Sequence, residues 1–212
     1  YGLILQTTGY ISEASQAFLK AEQLDPIYPQ LQAYLGVNAM TRGDMAAARV
    51  HFQRSIDGGN SNGVTYMYFV ELEMGNLDSA MNYFQEASAL AEAGLVSGYN
   101  KDSLAAISAA FKDPSQLKNG IDAAIAQQDI VTLKHFGAIP EIMLFLNNSL
   151  TNGELLNISI NLGISWTPGF SGLRQLPEYK QFLTDIGLVD LWKERGWPDL
   201  CRPTDGDDFE CE

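Results

Sequence analysis

The feature that most constrains the fold of this sequence is a short motif that repeats near its start. Two glycines, an alanine and a phenylalanine recur at a step of 34 residues, and most of them return after a further 32. The three copies are Gly2, Gly9, Ala14 and Phe18; Gly36, Gly43, Ala48 and Phe52; and Gly75, Ala80 and Phe84. Because several positions share one offset, the sequence predicts a tandem repeat whose units bury their apolar faces against one another.

Each copy is predicted to form a hairpin of two helices. In the first copy, Ala14, Phe18, Ala21 and Leu24 fall on one helical face, and Pro26 forbids continuation of that helix. An apolar stretch of helical character also precedes the turn glycine of the later copies, and glycine suits the turn because it accepts a positive φ. We expect the repeated Gly, Ala and Phe residues to build the scaffold.

The period and its G…GY…A…F…A…P pattern resemble the tetratricopeptide repeat. The resemblance covers residues 1–90, and it weakens in the third copy, where Tyr68 stands at the place of a glycine. It implies an all-α fold, an α-α superhelix with a concave face that binds a protein or peptide. Because the pattern is already under way at Tyr1, we expect a piece of a longer protein.

Beyond the repeats, the sequence continues to predict helices. Asp102, Asp113-Pro114, Asp129 and Pro140 each stand at the start of a helical stretch, and NGELLNISINLG closes the series. We interpret residues 91–168 as degenerate hairpins of the same solenoid. No alternating pattern is long enough to predict a strand.

The first helix of each unit would line the concave face. Its inward residues are then Gln30, Ala33, Tyr34, Val37, Tyr66, Phe69 and Glu73. These residues come from the first helices of the second and third copies, and neither helix carries a lysine or arginine. The lack of basic side chains argues against a partner with an acidic tail. An aromatic groove suits an apolar or aromatic peptide, or else it is filled by the protein's own chain.

Residues 169–212 are predicted to form a helical cap with an acidic tail. Pro177 begins a helix that Gly187 ends, and a short helix and a Gly196-Trp197-Pro198 turn follow. The segment from Leu173 to Cys211 resembles the end of repeat-bearing bacterial regulators, namely membrane-anchored winged-helix proteins of the ToxR type and cyclase-linked proteins. That resemblance implies the end of a regulator's sensor or interaction half.

Cys201 and Cys211, the only cysteines, are close in sequence. A disulfide is favoured, which would place the chain in an oxidising compartment, and free cytosolic thiols are the alternative. Zinc would need further ligands that do not stand nearby, and no metal site or cofactor is predicted. His51 and His135 are too far apart in sequence to form a ligand motif and are interpreted as surface or packing residues.

The charge narrows the choice of function. The chain has 13 basic and 26 acidic residues, a net charge of −13, so it repels nucleic-acid backbones. We therefore expect a non-enzymatic interaction or sensor domain of a bacterial transcription regulator, which acts through its groove or through self-association. It would lie on the periplasmic side of the inner membrane, attached only through a preceding segment. The alternatives are a free periplasmic scaffold and an enzyme that uses carboxylates in a groove.

Overall fold

The computed structural model describes residues 1–96, 101–154, 161–206 and 208–212. The first six helices are α1 (Gly2–Thr7), α2 (Ile11–Leu24), α3 (Pro29–Thr41), α4 (Met45–Asp57), α5 (Asn62–Glu73) and α6 (Leu77–Glu92). The next four are α7 (Lys101–Lys112), α8 (Leu117–Ala126), α9 (Ile130–His135) and α10 (Ile139–Thr151). Residues 161–165 are also helical, and α11 (Ser171–Arg174), α12 (Pro177–Asp185) and α13 (Leu188–Arg195) follow. The prediction of an all-α fold is confirmed.

Helices α1 to α6 form three consecutive hairpins, as the repeat predicts. Each hairpin turns at its glycine, and Gly9, Gly43 and Gly75 have φ angles of +90°, +75° and +76°. A side chain in this left-handed region would strain the backbone, which is why glycine returns at this place in every copy. The repeated Ala14, Ala48 and Ala80 are fully buried.

A repeated contact between a glycine, a phenylalanine and a tyrosine joins one hairpin to the next. A Cβ added to Gly36 would lie 2.3 Å from Phe52 Cε1, and the ring of Phe52 in turn stacks on Tyr66 with centroids 5.1 Å apart. Gly2, Phe18 and Tyr34 make the equivalent set one repeat earlier, with the two rings 5.9 Å apart. Because glycine has no side chain, the phenylalanine can lie directly against the first helix of its own hairpin. Its ring then also contacts the tyrosine on the first helix of the following hairpin.

The third hairpin departs from this pattern at Tyr68. Its ring meets Phe84 edge-on, with centroids 4.9 Å apart, where the earlier hairpins have a phenylalanine over glycine. Its hydroxyl hydrogen-bonds the Thr132 hydroxyl of α9, so the larger side chain joins the repeats to the second half of the chain. Asp129 caps α9, as predicted, by accepting from the Thr132 backbone N–H at 2.9 Å.

The other predicted helix starts in the second half have mixed outcomes. Pro140 lies in the first turn of α10, as predicted. Asp102 lies inside the first turn of α7 and is not its cap. Asp113 accepts from the Ser115 N–H and begins a 3-10 turn that precedes α8. The segment NGELLNISINLG lies partly outside the described residues, since 155–160 are not described.

The C-terminal part contains a small sheet that the sequence did not predict. Strands β1 (Cys201–Pro203) and β2 (Phe209–Cys211) pair antiparallel, with Cys201 opposite Cys211. Three-residue strands are too short to show an alternating pattern, so the expectation of no strand was wrong here. The predicted helix from Pro177 and its end at Gly187, which has φ +78°, are both observed.

The C-terminal unit, residues 161–212, reaches the start of the chain. Helix α12 packs on α10. In addition, Tyr10 donates a hydrogen bond from its hydroxyl to the Gly196 carbonyl at 2.6 Å, and Asp199 Oδ2 accepts from the Ser12 N–H at 3.1 Å. The cap therefore also covers the turn of the first hairpin. No helix in the described part of the chain is long and apolar enough to cross a bilayer.

Candidate functional site

Five of the predicted groove residues lie half-buried along α3 and α5. They are Gln30, Tyr34, Val37, Tyr66 and, at the end of α5, Glu73. Burial raises the pKa of Tyr66 to about 12, and the nearby Tyr34 adds to the rise. The two phenols thus lie near each other on adjacent first helices, while each ring also stacks on the phenylalanine of the hairpin before it. This is an aromatic surface whose rings are held in place by the scaffold.

Gln30 lies about one turn before Tyr34 on α3. Its side-chain oxygen accepts a hydrogen bond from Asn60 Nδ2 at 3.2 Å, across from α3 to the loop that precedes α5. The contact joins α3 to that loop. Ala33, which was also predicted to face the groove, is fully buried.

The end of α5 is filled by the protein's own chain. Phe69 is buried, and the Glu73 carboxylate pairs with Lys134 of α9, with His135 Nε2 at 3.6 Å. Burial by itself raises the pKa of Glu73, but hydrogen bonds from His135 and Lys134, and their charges, bring it below its usual value. Of the two alternatives for the groove, contact with the protein's own chain describes this end, where Phe69 is buried and Glu73 is paired with α9.

A short segment from Trp166 to Phe170 runs past the turn ends of all three hairpins. Trp166 donates its indole N–H to the Thr7 carbonyl in the first hairpin at 3.0 Å. Pro168 lies 3.3 Å from a Cβ placed on Gly43 in the second. At the third, a Cβ on Gly169 would lie 2.6 Å from Lys134 Nζ and 2.8 Å from Glu73 Oε2. Sequence reasoning missed this segment, although a Trp and a Pro in a non-helical stretch were its visible signal.

Beneath this segment, a buried hydrogen-bond network joins the first two hairpins. Asn38 donates to Gln6 Oε1 at 2.7 Å, and Gln6 donates to Thr41 Oγ1 at 3.2 Å. Ser15 donates to Asn38 Oδ1 at 2.5 Å. Gln6, Asn38 and Thr41 are all buried, so this network is closed to solvent. Tyr34, Val37 and Tyr66 are half-buried and stay partly accessible.

A second concave region lies beside Cys201 and Cys211, which the structure joins in a disulfide. The cavity has a volume of about 500 Å³ and is lined by residues of both charges. Two of its cations are paired, since Arg202 lies 2.5 Å from Glu210, which also lines the cavity, and Lys180 lies 2.5 Å from Asp208 beside it. Arg174, buried at its floor, donates to the backbone carbonyls of Ser165 at 2.5 Å and Thr167 at 2.9 Å. These bonds give Arg174 a role in holding the C-terminal unit together.

The buried ionisable groups have structural partners. Asp129 is hydrogen-bonded to Thr132 and Tyr68. Burial raises the pKa of Asp129, and this effect exceeds the lowering by those hydrogen bonds. Glu71, fully buried in α5, lies 2.8 Å from Arg49 Nε and accepts from Asn76 at 2.9 Å. His51 of α4 contacts the side-chain oxygen of Gln32 of α3 at 2.8 Å, within the second hairpin. In the described residues, no three His, Cys, Asp or Glu side chains are placed to hold a metal ion. Asp207 of the acidic tail lies outside the described residues.

No protein-family model matches the chain, and no curated protein and no solved structure matches it either. The functional assignment therefore depends on the geometry of the hairpins and on the surface that they leave accessible.

Proposed function

We propose that this chain is a non-enzymatic protein-interaction domain with the tetratricopeptide architecture, the interaction or sensor half of a bacterial transcription regulator. The observation that carries the proposal is the repeated Gly-Phe-Tyr packing, in which Tyr34 and Tyr66 line neighbouring first helices. A scaffold that presents rigid aromatic rings at regular spacing suits an extended or helical peptide with apolar side chains.

The charge distribution supports a partner of that chemistry. Helices α3 and α5 carry no lysine or arginine, and the two carboxylates of α5 are already paired, Glu71 with Arg49 and Glu73 with Lys134. A highly charged peptide would have nothing to pair with on this side of the array. Apolar contact with Tyr34, Val37 and Tyr66 is then the main source of affinity.

We place the domain in the periplasm. Support comes from the disulfide between Cys201 and Cys211, because disulfides persist in oxidising compartments and are rare in the bacterial cytosol. The ToxR-type regulators that the C-terminal tail resembles also suit that location. The periplasmic location and the role as part of a regulator are therefore proposed together, and the resemblance of the tail supports both.

Site-directed photo-crosslinking tests the proposal. A benzoylphenylalanine is placed at Val37, which is half-buried on the aromatic side of α3, in cells that produce the chain. Val50 is the matched control, because it is also a valine but lies 51% exposed on the second helix of the same hairpin. We expect a discrete crosslinked protein, or a crosslinked dimer, from position 37 and none from position 50.

Two results would contradict the proposal. Either no crosslinked product forms at position 37, or positions 37 and 50 give the same set of products. The first would show that the aromatic side meets no partner, and the second would show only non-specific proximity.

A further inference from the structure

The loop that joins the first hairpin to the second exposes three large apolar side chains. Leu24, the last residue of α2, is 88% exposed, Ile27 is 84% exposed, and Tyr28, just before α3, is 52% exposed. Single exposed apolar residues are common on protein surfaces, but three of them within five positions form a patch. Such a patch marks a place where another surface docks.

The internal repeat shows that the scaffold does not require these side chains. One repeat later the equivalent positions carry no large apolar residue, and they are Gly58 for Leu24, Ser61 for Ile27 and Asn62 for Tyr28. The second loop nevertheless joins its hairpins in the same way, because α4 packs on α5 as α2 packs on α3. The apolar residues of the first loop are thus not needed to hold the hairpins together.

The loop is held in one shape by Gln32, which is buried in α3. The side-chain nitrogen of Gln32 donates to the Pro26 carbonyl at 3.0 Å, and its oxygen contacts His51 of α4. Pro26 and Pro29 also restrict the backbone on either side of Ile27. A loop that is already ordered loses little conformational entropy when it binds, so it is suited to act as a ligand.

The same part of the molecule is almost free of charge. Residues 26–41 hold the end of the loop and most of the aromatic surface, residues 58–70 hold Tyr66, and neither run contains Asp, Glu, Lys or Arg. Asp25 is the one carboxylate of the loop. Because the whole chain has a net charge of −13, two copies repel each other where their acidic residues meet. The uncharged surface is where a second copy can approach without that repulsion.

The loop and the aromatic surface are also neighbours. Tyr28 lies six positions before Tyr34, and α3 begins between them at Pro29. At about 1.5 Å per residue, the loop stands roughly 10 Å from Tyr34 along α3. A projecting apolar loop beside an aromatic surface is self-complementary, which a two-fold dimer requires, since each copy offers the element that the other accepts.

We infer that the partner of the aromatic surface is a second copy of this chain, whose loop 24–28 packs on Tyr34, Val37 and Tyr66. The second copy receives the same loop in return, so the contact is made twice. The inference deepens the proposed interaction function and rests on it, since it names the partner. Ile27 and Tyr28 supply the apolar contact area that half-buried, uncharged rings can bind.

Sedimentation equilibrium of the intact chain measures this association. We expect a reversible monomer–dimer equilibrium whose dissociation constant rises at least tenfold in Ile27→Ser, because two isoleucines leave the contact in each dimer. The loop should accept serine, which stands at the equivalent position 61. Leu144→Ser is the matched control, because Leu144 is also an exposed aliphatic residue, 58% exposed on α10, and its replacement should leave the dissociation constant unchanged.

A mixture of two defective variants tests whether the contact is reciprocal. Val37→Glu places a charge on the receiving surface and should also weaken dimerisation at least tenfold. A heterodimer of Ile27→Ser with Val37→Glu keeps one intact contact, in which the unaltered loop of one copy meets the unaltered surface of the other. We therefore expect the mixture to associate more tightly than either variant alone. Circular dichroism of all three variants checks that they are folded.

Four results would overturn the inference: a chain that stays monomeric up to about 100 μM, equal weakening by Ile27→Ser and Leu144→Ser, a mixture that associates no better than its separate variants, or crosslinks from position 37 to another protein alone. The last would leave the proposed function standing, because the aromatic surface would still bind a partner. The absence of any crosslink at position 37 would contradict the proposed function itself.

Discussion

The indole N–H of Trp192 donates a hydrogen bond to the carbonyl oxygen of Thr8, 3.0 Å away and 184 positions earlier in the chain. Trp166 donates in the same way to the neighbouring carbonyl of Thr7, and the two indoles meet edge-on with centroids 6.2 Å apart. The last carbonyls of a helix have no partner within it. The C-terminal unit therefore caps the end of α1 with two aromatic side chains and joins residues 161–212 to the first hairpin.

The first prediction concerns the Trp192 bond. Trp192→Phe keeps most of the buried ring but leaves the Thr8 carbonyl without its donor, so we expect the free energy of unfolding to fall by about 1–3 kcal/mol. Urea unfolding monitored by far-UV circular dichroism measures the change. The larger deletion Trp192→Ala should cost about 3–5 kcal/mol, because it also opens a cavity in the core.

Trp197→Phe is the control for that prediction. Trp197 lies in the same cluster, with its centroid 5.7 Å from that of Trp192, but it is half-buried and its indole N–H makes no hydrogen bond to the described residues. Its replacement should cost less than Trp192→Phe. Equal losses for the two variants would show that the Thr8 bond adds nothing beyond ring packing.

The repeat made the first half of the fold predictable. A period of 34 places Gly, Ala and Phe at equivalent points of successive hairpins, and local chemistry then determines where each helix turns and ends. Gly43 and Gly187 illustrate this, because a positive φ is a local requirement that a single residue type meets.

Contacts between distant parts of the chain could not be predicted in this way. Nothing in the sequence pairs Glu73 with Lys134 or Trp166 with Thr7, since such pairs depend on how the whole chain packs. The sequence placed Phe69 and Glu73 in the groove by their helical spacing alone. They are covered because α9 packs beside α5. The spacing of residues within α5 cannot predict that contact.

The second prediction concerns the contact between Gly36 and Phe52. Gly36→Ala would place a Cβ 2.3 Å from Phe52 Cε1, so the ring must move away from its stacked position on Tyr66. We expect a net loss of about 1–2 kcal/mol, because the overpacking cost exceeds the better helix propensity of alanine. Thermal unfolding should show a lower midpoint than in the wild type.

Gly172→Ala is its matched control. Gly172 lies in α11, has no positive φ, and a Cβ there would meet no atom within 4 Å. The same substitution should then be neutral or slightly stabilising. A loss at Gly172 as large as at Gly36 would refute close packing as the cause.

The third prediction concerns the disulfide. Native protein should release no reactive thiol in a titration with a thiol reagent, since Cys201 and Cys211 are joined. Reduction should lower the free energy of unfolding by roughly 3 kcal/mol, the chain-entropy value for a closed loop of this size. The double variant Cys201→Ser, Cys211→Ser should show no response to reductant. Two reactive thiols in the native protein would contradict the disulfide and remove its support for a periplasmic location.

The fourth prediction concerns the pH dependence of the Glu73 pair. The folded-state pKa of Glu73 is lowered, so the pair stabilises the protein above the unfolded-state pKa near 4.3 and loses that contribution as the pH falls through the folded-state pKa. We expect Glu73→Gln to cost about 2 kcal/mol at pH 7, below the cost for a fully buried pair because Lys134 is partly open to water. Urea unfolding at a series of pH values should show the difference between wild type and variant shrinking below about pH 4.

Glu92→Gln separates this effect from the general loss of one negative charge. Glu92 pairs with Lys101 at 2.9 Å, but the two side chains are 50% and 70% exposed, so water screens the pair. That variant should lose less than about 0.5 kcal/mol at pH 7 and show little dependence on pH. If Glu73→Gln behaved like Glu92→Gln at every pH, the contact between α5 and α9 would depend on apolar packing and on the Tyr68–Thr132 hydrogen bond, and not on the carboxylate.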